Sequence, residues 1–145
     1  MFIQTPSNVS VGQDNVFSVD KEDSAPEKSI QNRDDEYDPN SGVHGMVFDY
    51  LEEFYSADMH ANCIWTHKKD MLTGYLSVVG KVDAPQPGDH PKWVEIHPNG
   101  QYLYVVNEAG NTLALYLIDP RTHLPVYTYA PYSLIPPGKL LYLTL

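Results

Sequence analysis

A weak repeat of nearly fifty residues is the feature that most limits what this chain can fold into. Asn15, Asn62 and Asn111 each precede a run of alternating apolar residues, and they lie 47 and 49 residues apart. The match extends upstream, where "YSADMHAN" corresponds to "YVVNEAGN" and "HGMVFDY" corresponds to "KWVEIHP". Units of this length bury their apolar faces against neighbouring units. We therefore expect a tandem array.

Each unit is built from short apolar runs rich in Val, Ile, Tyr, Trp and Phe, which indicates strands. The last unit divides into "KWVEIH", "YLYVVN", "TLALYLID" and "PVYTYA", separated by turns such as Pro98-Asn99-Gly100. Four antiparallel strands per unit are typical of a β-propeller blade. The predicted fold is all-β, a partial β-propeller of about two and a half four-stranded blades. We place a half blade at about 14–34, blades at about 43–83 and 91–131, and an apolar tail at 139–145.

The number of units predicts a fragment. Propellers close with roughly four to eight blades, which is more than this chain holds. The apolar tail "KLLYLTL" is also an unusual end for a chain. Both ends of the array would expose strand edges, which can pair with another copy of the chain. A homo-oligomer is therefore one possible outcome.

Composition argues against several kinds of partner. The net charge is −10, from 9 basic and 19 acidic residues, which would repel nucleic acid and anionic membranes. No apolar segment approaches the roughly 20 residues of a membrane-spanning helix, and the start "MFIQTPSNVS" does not resemble a secretory signal. A single cysteine, Cys63, cannot form an internal disulfide. These features predict a cytoplasmic protein with no nucleic-acid or membrane partner.

Two residues of different blades occupy the same place in the repeat. His44 and Lys92 both stand at the start of the first strand of a blade. First strands line the central channel of a propeller, so we expect the two side chains to meet at one rim. Glu108 follows the second strand of its blade, from where it can reach the same rim. Each of these residues alone is more often structural or solvated, and it is their equivalence in the repeat that favours a shared site.

Metal binding is not predicted. The six histidines show no spacing that is typical of zinc sites, and no cysteine pair accompanies them. We therefore expect no metal site.

Over residues 14–138 the sequence resembles the fungal carboxy-cis,cis-muconate cyclases, seven-bladed propellers of the wider lactonase family. The stretches that carry the resemblance are "VHGMVFD", "YSADMHANCIWTH", "VGKVDAPQPGDHPKWVEIHPNGQYLYVVNEAGN" and "IDPRTHLPVYTYAPYSLIPPG". By position, the resemblance implies a site formed by His44, Lys92 and Glu108. Lys92 stands where the family has an arginine, and the family's second arginine, in a later blade, has no counterpart here.

The resemblance also implies an activity, that of an intramolecular lyase that needs no cofactor. Its substrate would be a small polycarboxylate, 3-carboxy-cis,cis-muconate, which is closed to a carboxymuconolactone in the protocatechuate branch of aromatic breakdown. Lys92 would bind and stabilise the developing negative charge, and His44 or Glu108 would deliver the proton. Lysine lacks the planar fork of arginine, so we expect the substrate to be oriented less well. The missing blades would also remove the second arginine and part of the wall of the site, so we expect activity to be weakened or lost in this chain.

Two other functions stay open at this point. One is a lactone hydrolase of the 6-phosphogluconolactonase type on the same scaffold. The other is a non-catalytic propeller that presents its rim to a protein partner.

Overall fold

The structure is a computed structural model that describes the backbone of three strands within residues 2–32, and then residues 41–49, 53–73, 75–128 and 130–137. The first sheet consists of β1 (Phe2–Gln4), β2 (Asn15–Val19) and β3 (Pro26–Asn32). The second sheet, blade 2, consists of β4 (Val43–Phe48), β5 (Glu53–Asp58), β6 (Cys63–Lys69) and β7 (Leu76–Asp83). The third sheet, blade 3, consists of β8 (Pro91–Ile96), β9 (Tyr102–Asn107), β10 (Thr112–Ile118), β11 (Pro125–Tyr127) and β12 (Tyr132–Ser133). Within the described residues every element is a strand.

The all-β fold predicted from the repeat is confirmed. Blade 2 is an antiparallel sheet in sequential order, β4-β5-β6-β7, and blade 3 repeats this arrangement from β8 to β11. Tight turns join the strands, and the predicted Asn-Gly turn is present, with Gly100 at a φ of 72°. Such a positive φ is readily accessible to glycine.

Two details differ from the predicted strands. β1 lies before the predicted half blade and was not predicted. Its three residues are too few to show a strand period. The outer strand of blade 3 is divided, since β11 and β12 both pair with β10 and are separated by residues 128–131. Pro131 lies in that interval and has no N–H to donate to the sheet. The tail at 139–145 lies outside the described residues.

One apolar core joins blades 2 and 3. β5 is buried at every position: Tyr55 and Ala57 pack in the core shared with blade 3, whereas Phe54 on the other face packs against Leu76 and Met46. In β9 burial alternates along the strand, as expected when one face points inward. The buried core residues are Tyr55, Ala57 and Ile64 from blade 2 and Val94, Leu103, Val105, Ala114, Tyr116 and Ile118 from blade 3. This shared core sets the position of one blade relative to the other.

Gly45 allows the first strands of the two blades to approach closely. A Cβ atom added at Gly45 would lie 2.6 Å from the carbonyl oxygen of Lys92 and 2.6 Å from the Cα atom of Trp93. The backbones of β4 and β8 are therefore so close at Gly45 that a side chain would not fit between them. This contact lies where β4 and β8 begin and β5 and β9 end, which we call the site end of the blades. The opposite end is where β4 and β8 finish.

Candidate functional site

His44 and Lys92 both sit at a β-bulge. In blade 2 the pairing of β4 with β5 shifts between Val43 and Gly45, which leaves His44 as the extra residue. In blade 3 the pairing of β8 with β9 shifts between Pro91 and Trp93, which leaves Lys92 as the extra residue. Bulges redirect a side chain and are common next to active sites. The repeat equivalence seen in the sequence is thus also an equivalence of local geometry.

Lys92 forms an ion pair with Glu108. Its Nζ atom lies 2.5 Å from Oε1 of Glu108, and the two side chains are 44% and 49% exposed. The pairing of Pro91 with Asn107 places the two residues side by side at the site end. Half-exposed pairs contribute little to stability, so the fold does not depend on this contact.

Glu108 is the centre of a positively charged neighbourhood. The hydrogen bond donated by Lys92 holds the pKa of Glu108 below its ordinary value, and positive charge on Lys92, His44 and His90 lowers this pKa further. The structure therefore brings together the three residues predicted to share a rim. It adds His90, which lies in the segment just before β8.

The stretch "GDHPKW", residues 88–93, leads into β8 and is held in place by Asp89. Asp89 is buried, and its Oδ2 accepts hydrogen bonds from the backbone N–H of Gln86 (3.0 Å) and from Nδ2 of Asn107 (3.4 Å). Its carbonyl oxygen accepts the N–H of Gly110 at 3.1 Å. These bonds hold the start of β8 against the end of β9.

Blade 2 uses a related device at the equivalent position. Asp58 is fully buried, and its Oδ1 accepts hydrogen bonds from the N–H groups of Gly42 (2.8 Å) and Ala61 (2.9 Å). Its Oδ2 accepts the indole N–H of Trp65 at 2.9 Å. The position that holds Asp58 in one blade and Asn107 in the next thus anchors the segment that leads to His44 or to Lys92.

A second group of titratable residues lies at the opposite end, between the two blades. Nδ1 of His123 is 2.6 Å from Oε2 of the buried Glu53, and the Tyr55 hydroxyl donates to the carbonyl oxygen of His123 at 3.0 Å. Burial raises the pKa of Glu53 although His123 acts against this shift. Sequence reasoning missed this contact because its members belong to different blades and show no motif spacing.

Asp49 completes this second group. The ligand atoms of Asp49, Glu53 and His123 lie within 4.8 Å of one another and are of types that bind metals. Because Nδ1 of His123 and Oε2 of Glu53 contact each other directly, we interpret the group as a polar contact between blades.

Residues 7–138 match the family described as Lactonase, 7-bladed beta-propeller. The chain belongs to this lactonase family. The propeller architecture predicted from the repeat is therefore shown, and blades 2 and 3 are consecutive blades of a lactonase propeller. The predicted span of the resemblance, 14–138, falls within the matched residues.

Two curated relatives extend the comparison. The carboxy-cis,cis-muconate cyclase of Neurospora crassa is 56% identical over 128 residues, which are 88% of this chain and 34% of that protein. Muconate cycloisomerase 1 of Cutaneotrichosporon cutaneum is 38% identical over 59 residues, which are 41% of this chain and 16% of that protein. The resemblance stated from sequence motifs is thus confirmed by overall identity.

A solved structure supports the fold. A crystal structure from Bacteroides fragilis, described as a candidate 6-phosphogluconolactonase, has a TM-score of 0.73 at 21% identity and covers 86% of this chain and 34% of its own. At this identity the likeness concerns the fold alone. The chain spans about a third of the length of the relatives it matches. Among its described residues, no helix is long and apolar enough to cross a membrane.

Proposed function

We propose that this lactonase-family chain carries part of the active site of a cycloisomerase that closes 3-carboxy-cis,cis-muconate to a carboxymuconolactone. The observation that carries the proposal is the pair of equivalent bulges at His44 and Lys92, with Lys92 paired to Glu108 and His44 close enough to lower the pKa of that carboxyl group. The 56% identity to the Neurospora crassa cyclase supports the choice of substrate. The family resemblance implies that this reaction is catalysed by an intramolecular lyase and that it takes part in aromatic catabolism.

The reaction requires positive charge and one proton. A carboxylate oxygen of the substrate adds to a carbon of the conjugated diene and forms the C–O bond of the lactone. The electron pair of the double bond moves towards the carbon next to another carboxylate, and a proton then adds to that carbon. The trianionic substrate becomes a dianionic product. A cation close to the developing charge lowers the barrier because it is already in place when the charge forms.

Lys92 is the cation in this proposal, and Glu108 orients it. The ion pair holds the ammonium group at the start of β8, within reach of a ligand at the site end. Because the pKa of Glu108 is lowered, this carboxyl group stays ionised near neutral pH and is unsuited to donate a proton. A proton donor needs a pKa close to the working pH.

His44 is the proton donor in this proposal. Of the two donors that the sequence left open, it is the imidazole, the side chain that most often serves as a general acid. Its bulged position directs it to the same end as Lys92. His44 and Lys92 would then act on the same substrate from two neighbouring blades.

A tricarboxylate needs local attraction to approach this protein. The chain has a net charge of −10, which repels anions at long range. The region around Lys92, which also holds His44 and His90, supplies basic groups that a carboxylate can approach. We propose that this region, rather than the overall charge, recruits the substrate.

The test is to mix the purified protein with 3-carboxy-cis,cis-muconate and to follow the diene absorbance. We expect the absorbance to fall and, in deuterated water, one deuterium to appear at the carbon next to a carboxylate. His44→Gln should abolish the change, whereas His60→Gln, an exposed histidine in the β5–β6 turn, should leave it intact. Equal rates for the protein and its His44→Gln variant would contradict the proposed role.

Lactone hydrolysis is the alternative that the family description favours. It predicts water-dependent opening of 6-phosphogluconolactone and no effect on the diene. Absence of turnover of both substrates by a chain extended to the seven blades of the family would favour the non-catalytic binding propeller. The cytoplasmic location inferred from the sequence belongs to this proposal, and a fluorescent fusion in cells would test it.

A further inference from the structure

Asn62 of blade 2 holds the segment that leads into blade 3. It ends the turn between β5 and β6 at the site end, with a φ of 52°. We call residues 84–90, between β7 and β8, the junction segment. The carbonyl oxygen of Asn62 accepts the N–H of Ala84 (2.9 Å), its Nδ2 donates to the carbonyl oxygen of Gln86 (3.0 Å), and its Oδ1 accepts the N–H of His90 (2.8 Å). One residue thus bonds the start, the middle and the end of the junction segment.

His90 extends this restraint to the candidate site. Its backbone is also left-handed, with a φ of 54°. Its carbonyl oxygen accepts the N–H of Glu108 at 3.0 Å. Two hydrogen bonds therefore connect the Asn62 side chain to the Glu108 backbone through one intervening residue, and Lys92 follows two positions after His90.

Asn111 is the equivalent residue of blade 3 and serves as a comparison. It shares the turn conformation of Asn62, and its described side-chain bond differs. It has a φ of 49°, and its carbonyl oxygen accepts the N–H of Leu134 at 2.8 Å, as that of Asn62 accepts the N–H of Ala84. Its Nδ2, however, bonds the carbonyl oxygen of Ala109 within its own turn, at 3.4 Å. Both blades thus have the hydrogen bond to the backbone carbonyl of the turn asparagine. Among the described residues, the side-chain hydrogen bonds to a junction segment are those of Asn62 with Gln86 and His90.

We infer that Asn62 is a positioning residue of the candidate site, because its side chain fixes His90, and through it Glu108 and Lys92, relative to His44 on its own blade. Its effect on turnover rests on the proposed function. Its effect on geometry does not, because the hydrogen bonds exist in the free protein. The ion pair and the imidazole come from different blades, so their relative position depends on the junction between these blades.

The first test compares Asn62→Gly with Asn111→Gly. Glycine accepts the left-handed backbone, so each variant removes only the side chain of an asparagine of nearly the same φ. For Asn62→Gly we expect loss of amide hydrogen-exchange protection at His90 and Glu108, and a rise in the pKa of Glu108 measured by carbon-13 NMR without substrate. With carboxymuconate, kcat/KM should fall by about tenfold or more. The Asn111→Gly variant should keep the protection, the pKa and kcat/KM of the parent.

Asn62→Asp provides the rescue. It keeps the oxygen that accepts the His90 N–H and loses the donor to Gln86, so protection at His90 and Glu108 should remain. If the glycine variant does not fold, this variant carries the test by itself, and loss of protection in it would overturn the inference. Unchanged protection and pKa in a folded Asn62→Gly variant would overturn it as well. A shifted Glu108 pKa in a protein that turns over no carboxymuconate would support the positioning role while rejecting the proposed function.

Discussion

Lys92 combines two roles at the scale of the single residue. It neutralises Glu108, and in our proposal it also stabilises charge on the substrate. An ammonium group offers one compact charge, whereas a guanidinium group offers a planar fork that binds a carboxylate through two parallel hydrogen bonds. The residue therefore keeps the charge of the family's arginine without its control of orientation.

Lys92→Arg should strengthen tricarboxylate binding. We expect the Kd for carboxymuconate, measured by calorimetry, to fall by about three- to tenfold because the fork adds a second hydrogen bond. Lys92→Gln should weaken binding and raise the pKa of Glu108, since it removes the largest cause of the lowered value. Lys81→Arg is the matched control, because Lys81 lies on the outer strand of blade 2, β7, with its Nζ atom 5.3 Å from the centre of the Trp65 ring. An equal effect of the two arginine substitutions would contradict the role of Lys92.

Glu53 gives a pH dependence whose sign is fixed by its burial. Its folded-state pKa is raised above the ordinary value of 4.5, mainly by desolvation. Protonation of Glu53 thus favours the folded state, and this contribution is complete below 4.5 and lost as pH rises through the raised value. The facing groups are Asp49, Tyr55, Lys68 and His123.

Glu53→Gln should therefore become relatively more stable as pH rises. The free energy of unfolding of the variant minus that of the parent, from urea titrations, should increase between about pH 4 and pH 7. Glu95→Gln, at an exposed position of β8, makes the same change of charge without the burial. The same pH dependence in both variants would contradict the assignment to Glu53.

At the scale of the element, the approach of β4 to β8 matters most. Both strands begin at the site end, both carry a bulge at their candidate residue, and Gly45 is their point of contact. A side chain at Gly45 would contact backbone atoms of Lys92 and Trp93, which cannot move away by changing a rotamer. The spacing between the two strands also sets the spacing between His44 and Lys92.

Gly45→Ala should destabilise the protein and disturb the site. We expect a loss of about 1–3 kcal/mol in the free energy of unfolding, as for other overpacked positions, and weaker tricarboxylate binding. Gly42→Ala is the control, because its added Cβ would meet the ring of His60, an exposed side chain that can move. A Gly45→Ala variant as stable as this control would show that β4 and β8 can separate without cost.

At the scale of the whole molecule, we expect blades 2 and 3 to unfold as one unit because they share a core. Each blade contains one tryptophan, Trp65 in blade 2 and Trp93 in blade 3. Trp65 is 8% exposed and Trp93 is 55% exposed, so the two report from different environments. Their separate signals can show whether the blades unfold together.

Fluorescence of Trp65→Phe and Trp93→Phe variants should give coincident unfolding transitions in urea. Leu103→Ala, which removes a fully buried core side chain of blade 3, should lower stability by about 2–5 kcal/mol and shift both signals equally. Leu72→Ala, at a residue that is 96% exposed in the β6–β7 turn, is the control and should shift neither. A shift confined to the remaining tryptophan of blade 3 would mean that the blades unfold separately.

The sequence predicted the strands well because strand patterning is local. "KWVEIH", "YLYVVN" and "TLALYLID" each contain a described strand, and turn residues mark their ends. It also placed His44, Lys92 and Glu108 at one rim, since equivalent positions of a repeat lie at the same end of the blades. The division of the last outer strand was less visible, because it depends on Pro131 within a run that is otherwise typical of a strand.

By itself, then, the sequence determined the repeat, the strand class and the residue types at the candidate site. Only the tertiary structure decided how these residues face one another. The bulges at His44 and Lys92, the bonds from Asn62 to the junction segment and the contact of Glu53 with His123 all join positions far apart in the chain. The physical reason is that hydrogen bonds and ion pairs act over a few ångströms in space, whereas strand patterning reports on neighbours along the chain and a repeat reports only on equivalent positions of its units.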